Sequence, residues 1–140
     1  MTKMISFRYF LITIFIFCST LIYAQNSLQV EVTNLRNDKG VVSVELLNKN
    51  NESIKDKTVL LKNNKCIITF NNIKDGSYAI RYFHDENSNK ELDMNFFGIP
   101  KEGIGFSNDA YGTFGPEDFK KWLFDVKGNT QIKLSTTYYF

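Results

Sequence analysis

Cysteine is scarce in this sequence of 140 residues, where it occurs only at Cys18 and Cys66. Cys18 lies in a hydrophobic N-terminal stretch that we expect to be removed, which would leave Cys66 without an intramolecular disulfide partner. Cys66 alternates with Ile68 and Phe70, a pattern typical of a free cysteine packed as a small apolar side chain. We therefore expect a domain that folds without a disulfide.

An excess of charge of either sign is also lacking. The chain has 17 Lys and Arg against 15 Asp and Glu. Two of the basic residues, Lys3 and Arg8, fall in the N-terminal stretch, which contains no acid, so the remainder is formally neutral. No basic patch is left to bind nucleic acid, and we exclude nucleic acid as a partner.

Long hydrophobic runs are lacking too, and the one marked apolar run lies at the N-terminus. Residues 1–24 start with basic residues, continue through an apolar stretch at 10–17 and end at Ala24 before polar residues. This order is typical of a signal peptide, and we expect cleavage after Ala24. The alternative is an uncleaved anchor, although the run is short for a membrane span. A lipoprotein is excluded, because the bulky Phe17 precedes Cys18.

The mature chain, residues 25–140, has a length that suits one domain with one core. No second hydrophobic run follows, so we expect no transmembrane segment in it. A protein with these features is expected to be secreted or periplasmic.

Apolar and polar residues alternate along several short segments, as in half-buried β-strands. We predict strands at residues 28–35, 41–47, 58–61, 66–70, 77–84, 122–126 and 131–136. The first two should form a hairpin around the turn residues 36–40, residues 48–57 should be a solvated loop, and residues 116–121 could form one helical turn. The predicted fold class is all-β, a single Ig-like antiparallel β-sandwich of about seven strands.

The same alternation predicts which side chains fill the core. They are Val30, Val32, Val42, Val44, Ile68, Phe70, Ile80, Tyr82, Leu123, Ile132 and Leu134.

A polar segment that we call the Asp/Asn loop, residues 85–93, carries the clearest chemical signal. Oxygen-bearing side chains recur at every second position in Asp85, Asn87 and Asn89, and Asp93 follows four residues later. A tight loop with this spacing can direct several hard ligands at one cation, and calcium is the ion that it favours. We predict these four side chains and the carbonyl of Glu91 as calcium ligands.

Two alternatives to this type of calcium site exist for the loop, and one of them is excluded. Phe96 stands at the twelfth position, where an EF-hand has a bidentate acid, so an EF-hand is excluded. The simpler alternative to an ion site is an Asx-rich turn whose side chains bond to their own backbone.

Catalytic residues are sparse. His84 is the single histidine and adjoins Asp85, so it is a candidate general base, although a histidine beside a strand end is more often structural. Glu86 could pair with Asp93 or Glu102 as in a glycosidase, but clustered acids are better explained by a cation. Residues 103–108 match neither the nucleophile elbow of hydrolases nor a dinucleotide-binding fingerprint.

Residues 94–116 show no strand period, yet they contain five of the eight glycines and several aromatic residues. So long a connection is usually functional or mobile, and its aromatic content argues against disorder. One possibility is a ligand groove for a sugar or peptide; the other is a satellite cluster that caps one end of the sandwich. The candidates for the groove are His84, Phe96, Phe97, Phe106 and Tyr111.

Several segments resemble, in order, a family of secreted bacterial proteins, domain of unknown function 2141. They are Val-Glu-Val-Thr-Asn-Leu-Arg-Asn-Asp-Lys-Gly at 30–40, Gly-Ser-Tyr-Ala at 76–79, His-Asp-Glu-Asn at 84–87, Phe-Gly-Ile-Pro-Lys-Glu-Gly at 97–103, Gly-Phe-Ser-Asn at 105–108 and Phe-Gly-Pro at 114–116. The resemblance implies a prealbumin-like β-sandwich in the same compartment, and it brings no activity with it.

In the Asp/Asn loop the chain departs from that family. Members commonly have Asn-Gly-Asn/Asp-Gly where residues 87–90 read Asn-Ser-Asn-Lys. The sixth loop position often needs a positive φ, at which Lys90 would cost about 1 kcal/mol relative to glycine. We therefore expect weak ion binding.

Together these features predict a non-enzymatic binding or accessory module of the bacterial cell envelope, with calcium in its loop and an envelope protein or glycan as its partner. The alternative is a hydrolase that acts on polysaccharide or peptide through His84 and the loop carboxylates.

Overall fold

The structure is a computed structural model that describes residues 26–112 and 115–140. The predicted signal peptide lies outside the described residues. The strands are β1 Ser27–Thr33, β2 Val41–Asn48, β3 Ser53–Leu60, β4 Cys66–Asn71, β5 Gly76–Asp85, β6 Gly103–Phe106, β7 Tyr111–Gly112, β8 Gly115–Pro116, β9 Phe124–Val126 and β10 Thr130–Ser135. A 3₁₀ turn at Ser107–Asp109 and a short helix, α1, at Phe119–Trp122 complete the elements.

These strands form two main sheets, which confirms the all-β prediction. The first sheet has the order β10-β1-β4, and the second has the order β3-β2-β5-β6, with β9 also paired to β5. All pairings are antiparallel except that of β1 with β10, which is parallel. A parallel pair needs a long crossover, and here the second sheet lies between the two strands in sequence. Within the described residues, no helix has the length and apolar character needed to cross a membrane.

The predicted hairpin of β1 and β2 is wrong, because the two strands lie in different sheets. β1 pairs with β4 and β10, whereas β2 pairs with β3 and β5. Residues 34–40 therefore cross from one sheet to the other. Alternating strands can bury their apolar residues either side by side in a hairpin or facing each other across a sandwich. Here they face each other, and Val30 and Val44 lie in the same core.

The predicted loop at residues 48–57 is also partly wrong, because β3 begins at Ser53. The turn before it is tight: Asn48 Oδ1 accepts the N–H groups of Asn50 and Glu52 at 2.9 and 3.1 Å. β3 is an edge strand whose residues are mostly exposed. Such a strand shows no apolar alternation, so the predicted strand at residues 58–61 covers only its end.

Two lysines of β3 protect a neighbouring strand edge. Lys55 and Lys57 pair with the buried Leu46 and Val44, so they start on the inner face of the sheet. Their ammonium groups extend to β4 and donate to the carbonyls of Asn71 and Thr69, each at 2.5 Å. Inward-pointing charges of this kind prevent an edge from pairing with another chain.

The main core lies between the two sheets and confirms most of the predicted side chains. Phe70, Ile80, Val30 and Val32 are fully buried. Leu123 and Ile132 are only half-buried and lie at the margins. Cys66 is buried, as predicted, and burial raises the pKa of its thiol to about 11, so it is a neutral packing side chain.

A second, smaller cluster covers the outer face of the second sheet. Leu47 and Ala79 pack there against Ala110 and Trp122. Because successive strand residues face opposite sides of a sheet, Leu46 lies in the main core and Leu47 in this second cluster. The segment from β6 to β8, to which the sequence analysis assigned no strand, thus wraps back onto the sheet.

Candidate functional site

The candidate site begins where the central strand β5 ends. His84 and Asp85, the last two residues of that strand, are both fully buried. They pair with Val42 and Val41 of β2, and Gly40 precedes that strand with φ 69°. A Cβ on Gly40 would lie 1.9 Å from the carbonyl oxygen of Asp85, so only glycine fits beside the loop.

Both ring nitrogens of His84 are used in hydrogen bonds. Nε2 lies 2.7 Å from the carbonyl oxygen of Lys39, and Nδ1 lies 2.7 Å from the hydroxyl of Tyr138. Because a carbonyl can only accept, the neutral ring carries its proton on Nε2 and accepts the Tyr138 hydroxyl at Nδ1. His84 therefore bridges the residues before β2 to the C-terminal segment.

The Asp85 carboxylate organises the start of the Asp/Asn loop. Its Oδ1 accepts the N–H of Asn89 at 3.1 Å, and its Oδ2 accepts the N–H of Lys90 at 2.8 Å. Asp85 forms no salt bridge with a described basic residue. The carboxylate is thus buried with only main-chain donors, which partly offset its desolvation.

The other predicted side-chain ligands converge on Asp93. Its Oδ2 accepts from Asn87 Nδ2 at 2.7 Å, and its Oδ1 accepts from Asn89 Nδ2 at 3.2 Å. The amide oxygens meanwhile accept main-chain donors: Asn87 Oδ1 from Asn89, and Asn89 Oδ1 from Glu91. The two amides thus direct their NH₂ groups at Asp93 and their oxygens at main-chain donors, which are the local bonds of an Asx-rich turn.

The loop backbone includes two unusual conformations. Ser88 has φ 59° and Lys90 has φ 68°. The expectation that the sixth position needs a positive φ is thus confirmed at Lys90. For a residue with a long side chain this left-handed conformation costs about 1 kcal/mol or more.

Glu102, which the sequence suggested only as part of a carboxylate pair, links the two ends of the loop. Its Oε1 accepts the N–H of Glu86 at 2.9 Å, and its Oε2 accepts the N–H of Asp93 at 3.1 Å. Burial, together with the nearby Asp93 and Asp85 charges, raises the pKa of Glu102 although these two bonds oppose the shift. Glu102 lies nine residues after Asp93 in the sequence, and this spacing belongs to no known motif. A local sequence pattern therefore could not predict that Glu102 links the two ends of the loop.

Arg36 joins this end of the sandwich to the C-terminus. Its guanidinium donates to Glu86 Oε1 at 2.8 Å and to the Phe140 carbonyl at 2.8 Å. It also lies 4.6 Å from the centre of the Tyr138 ring. Burial acts to raise the pKa of Glu86, but the hydrogen bonds from Asn37 and Arg36 and the nearby positive charge outweigh it and lower that pKa.

The donor set fits a hard cation only in part. Carboxylate and amide oxygens are the ligands that calcium prefers. Within residues 26–112 and 115–140, however, no three His, Cys, Asp or Glu side chains are grouped so as to hold a metal. An ion would therefore need Asn87 and Asn89, with their amide oxygens turned toward Asp93, as well as Asp85. The predicted ligand at Glu91 is its main-chain carbonyl, and the side chain of this residue is exposed.

The residues predicted to line a ligand groove do not come together. His84 is buried between other side chains, whereas Phe96 and Phe97 are 98% and 82% exposed. Phe106 and Tyr111 pack edge to face, 5.7 Å between ring centres, beside the second cluster. Phe106 thus packs against a satellite cluster, which covers a face of the second sheet instead of one end of the sandwich, and Tyr111 packs against Phe106. Phe96 and Phe97 belong to a separate turn.

That turn, residues 94–100, will be called the aromatic turn. The N–H of Asn95 bonds to the carbonyl of Ile99 at 2.9 Å, and the N–H of Lys101 bonds to the carbonyl of Asp93 at 2.9 Å. Asp93 thus lies at the boundary between the Asp/Asn loop and the aromatic turn. The hydrogen bond from its N–H to Glu102 holds Asp93 in place.

Comparison with known proteins gives a family but no characterised relative. No curated protein and no solved structure matches the chain. The sequence profile of the family described as "Uncharacterized protein conserved in bacteria (DUF2141)" matches residues 30–133, which include most of both sheets and the whole Asp/Asn loop. The chain therefore belongs to the DUF2141 family of bacterial proteins.

Proposed function

We propose that this protein is a secreted or periplasmic binding or accessory module of the bacterial cell envelope, without enzymatic activity, whose Asp/Asn loop binds calcium. The ion would hold the loop and, through Asp93, the neighbouring aromatic turn in one conformation. An envelope protein or glycan is the proposed partner.

The observation that carries the calcium proposal is a pair of buried carboxylates without a basic partner. Asp85 is fully buried and Glu102 is 4% exposed. Neither forms a salt bridge with a described Lys, Arg or His. Buried charges are normally paired or coordinate a metal. A divalent cation between Asp85 and Asp93 would supply the missing positive charge and relieve the repulsion on Glu102.

The same geometry supports weak rather than strong binding. Asp85 and Asp93 are the only two formal charges among the proposed ligands, and neither is placed as the bidentate twelfth-position acid of an EF-hand. The amides of Asn87 and Asn89 must also give up their bonds to Asp93. Dissociation constants of about 10⁻⁴–10⁻³ M, as in extracellular modules, are expected. Magnesium should bind less well, because it demands octahedral geometry and releases its waters reluctantly.

The hydrolase alternative has less support. A general base must reach the proton that it removes, but His84 is fully buried and both of its nitrogens are engaged. Opening this site would break the contacts to Lys39 and Tyr138 together. The geometry therefore favours a structural role for His84.

Equilibrium dialysis with radioactive calcium tests the ion site directly. The wild type should bind one equivalent at millimolar calcium, and Asp93→Asn, which keeps the shape of the side chain, should bind several-fold more weakly. Asp125→Asn is the matched control, because Asp125 is exposed on β9 at the start of β5, away from the loop. Equal binding by wild type and Asp93→Asn, or no binding at all, contradicts the proposal.

Expression of the full chain in a bacterial host with an envelope tests the location. The mature protein should appear in the periplasmic or extracellular fraction with a mass that corresponds to Gln25 as its first residue. Recovery in the cytoplasm with the full-length mass contradicts this part of the proposal.

A further inference from the structure

The aromatic turn presents two phenylalanine side chains that make almost no contact with the domain. Phe96 is 98% exposed and Phe97 is 82% exposed. Their rings pack against each other edge to face, 5.6 Å between centres. Met94 beside them is 53% exposed. Scattered exposed apolar residues are ordinary, but adjacent large ones at the tip of a turn indicate a contact surface.

Most of the backbone N–H donors of this turn are paired within the turn. Asn95 Oδ1 accepts the N–H groups of Phe97 and Ile99 at 2.9 and 3.0 Å. The N–H of Gly98 bonds to the carbonyl of Asn95 at 3.0 Å, and Pro100 has no N–H to satisfy. Most of the N–H donors of the tip would therefore stay paired if water were removed, which lowers the cost of its entry into the interfacial zone of a membrane.

Size and charge decide which partner suits the tip. Two phenyl side chains offer at most about 300–500 Å², whereas a stable protein interface buries about 800 Å² on each partner. No charged residue occurs in residues 94–100, and the exposed Lys101 follows directly. A small, protruding, uncharged aromatic tip with a basic residue at its base matches the interfacial zone of a membrane, where aromatic rings lie below the headgroups.

We propose that the aromatic turn binds reversibly to a lipid bilayer by inserting Phe96 and Phe97 into its interfacial zone. Because only two side chains enter, the attachment is weak and depends on both. This contact needs no cation, so it does not rest on the calcium proposal.

Flotation with lipid vesicles tests the insertion on the mature chain. One set contains phosphatidylcholine alone, and the other contains phosphatidylethanolamine with phosphatidylglycerol, each with millimolar calcium or with chelator. The wild type should float with vesicles, and the double variant Phe96→Ser, Phe97→Ser should lose at least about tenfold in partitioning, which corresponds to about 1.4 kcal/mol. Leu60→Ser is the matched control, because Leu60 is 78% exposed on the edge strand β3.

Three results of the flotation experiment would overturn the proposal. They are a wild type that stays unbound in all four conditions, a double variant that floats as well as the wild type, and a Leu60→Ser control that loses as much binding as the double variant. Sedimentation of the wild type as a dimer and of the double variant as a monomer would assign the tip to a second copy. The double variant and the Leu60→Ser control should have the same melting temperature as the wild type, because the replaced side chains are exposed. Binding only with calcium would contradict the cation-independent contact.

Discussion

At the scale of single residues, two residues of the Asp/Asn loop, Ser88 and Lys90, have a left-handed backbone conformation that their side chains disfavour. Nine non-glycine residues of the described chain have a positive φ, and seven of these are Asn or Asp, which tolerate it. The exceptions are Ser88 and Lys90, and both lie in this loop. Strain of this kind persists only where surrounding bonds impose it, and here Asp85 and Asn87 supply them.

Replacement of Lys90 by glycine should stabilise the protein. Release of the left-handed strain gains about 1–2 kcal/mol, and the larger freedom of glycine in the unfolded chain takes back about 0.5–1 kcal/mol. Urea denaturation in chelator should therefore show a net gain of about 0.5–1 kcal/mol for Lys90→Gly. Glu91→Gly is the control, since Glu91 has no positive φ and should be destabilised. A loss of stability in Lys90→Gly would show that the strain is absent.

Glu102 should make the stability of the calcium-free protein increase on mild acidification. Its pKa is raised in the folded state from 4.5 by burial and by its acidic neighbours. A raised folded pKa means that its contribution to stability is fully present below the unfolded pKa and is lost as the pH rises through the folded pKa. Relative to Glu102→Gln, which cannot titrate, the wild type should gain stability as the pH falls from neutral toward about 4.5. A constant difference between the two proteins across that range would refute this account of Glu102.

At the scale of elements, the central strand β5 depends on a side chain to complete one of its edges. β6 pairs with Arg81 to His84, and β9 pairs with Gly76 to Tyr78. Between them, the Ser107 hydroxyl accepts the N–H of Ile80 at 2.9 Å and donates to the carbonyl of Trp122. One serine thus bridges the gap between two short strands and ties the second cluster to the sheet.

Removal of that hydroxyl should be costly. In Ser107→Ala the buried N–H of Ile80 loses its partner, which costs about 1–3 kcal/mol. Ser43→Ala is the matched substitution, because Ser43 is half-buried and its hydroxyl makes only a 3.4 Å contact with Thr58. Chemical denaturation should place Ser43→Ala within about 0.5 kcal/mol of the wild type. Equal effects of the two substitutions would mean that Ser107 is not a structural bridge.

Sequence patterns predicted elements well where one face of a strand is buried and poorly elsewhere. β1, β2, β4, β5 and β10 alternate apolar and polar residues, and all five were predicted within two residues of their ends. β3 carries lysines on its inner face, so its pattern resembles a loop. Alternation also does not specify which strand is the neighbour, and β1 and β2 were therefore assigned to one hairpin although they lie in opposite sheets.

At the scale of the whole molecule, one end of the sandwich brings together segments that are distant in sequence. Arg36 contacts Glu86 and the C-terminal carbonyl, and His84 contacts Lys39 and Tyr138. The sequence predicted the Asp/Asn loop as a local motif. These long-range contacts could not be predicted, because separations of about 45–104 residues become contacts only through the fold.

The most direct test of the central claim is the effect of calcium on melting and on proteolysis of the aromatic turn. At a free calcium concentration ten times the dissociation constant, binding should stabilise the wild type by about 1.4 kcal/mol, which raises the melting temperature by several degrees. Chymotrypsin should also cut more slowly after Phe96 and Phe97, since the ion would hold Asp93 at the base of the turn. Asp85→Ala should show neither effect, and Asp93→Asn, which binds several-fold more weakly, should show both effects to a smaller degree. A wild type whose melting temperature and cleavage rate are unchanged by calcium would show that the Asp/Asn loop is a turn held only by its own hydrogen bonds.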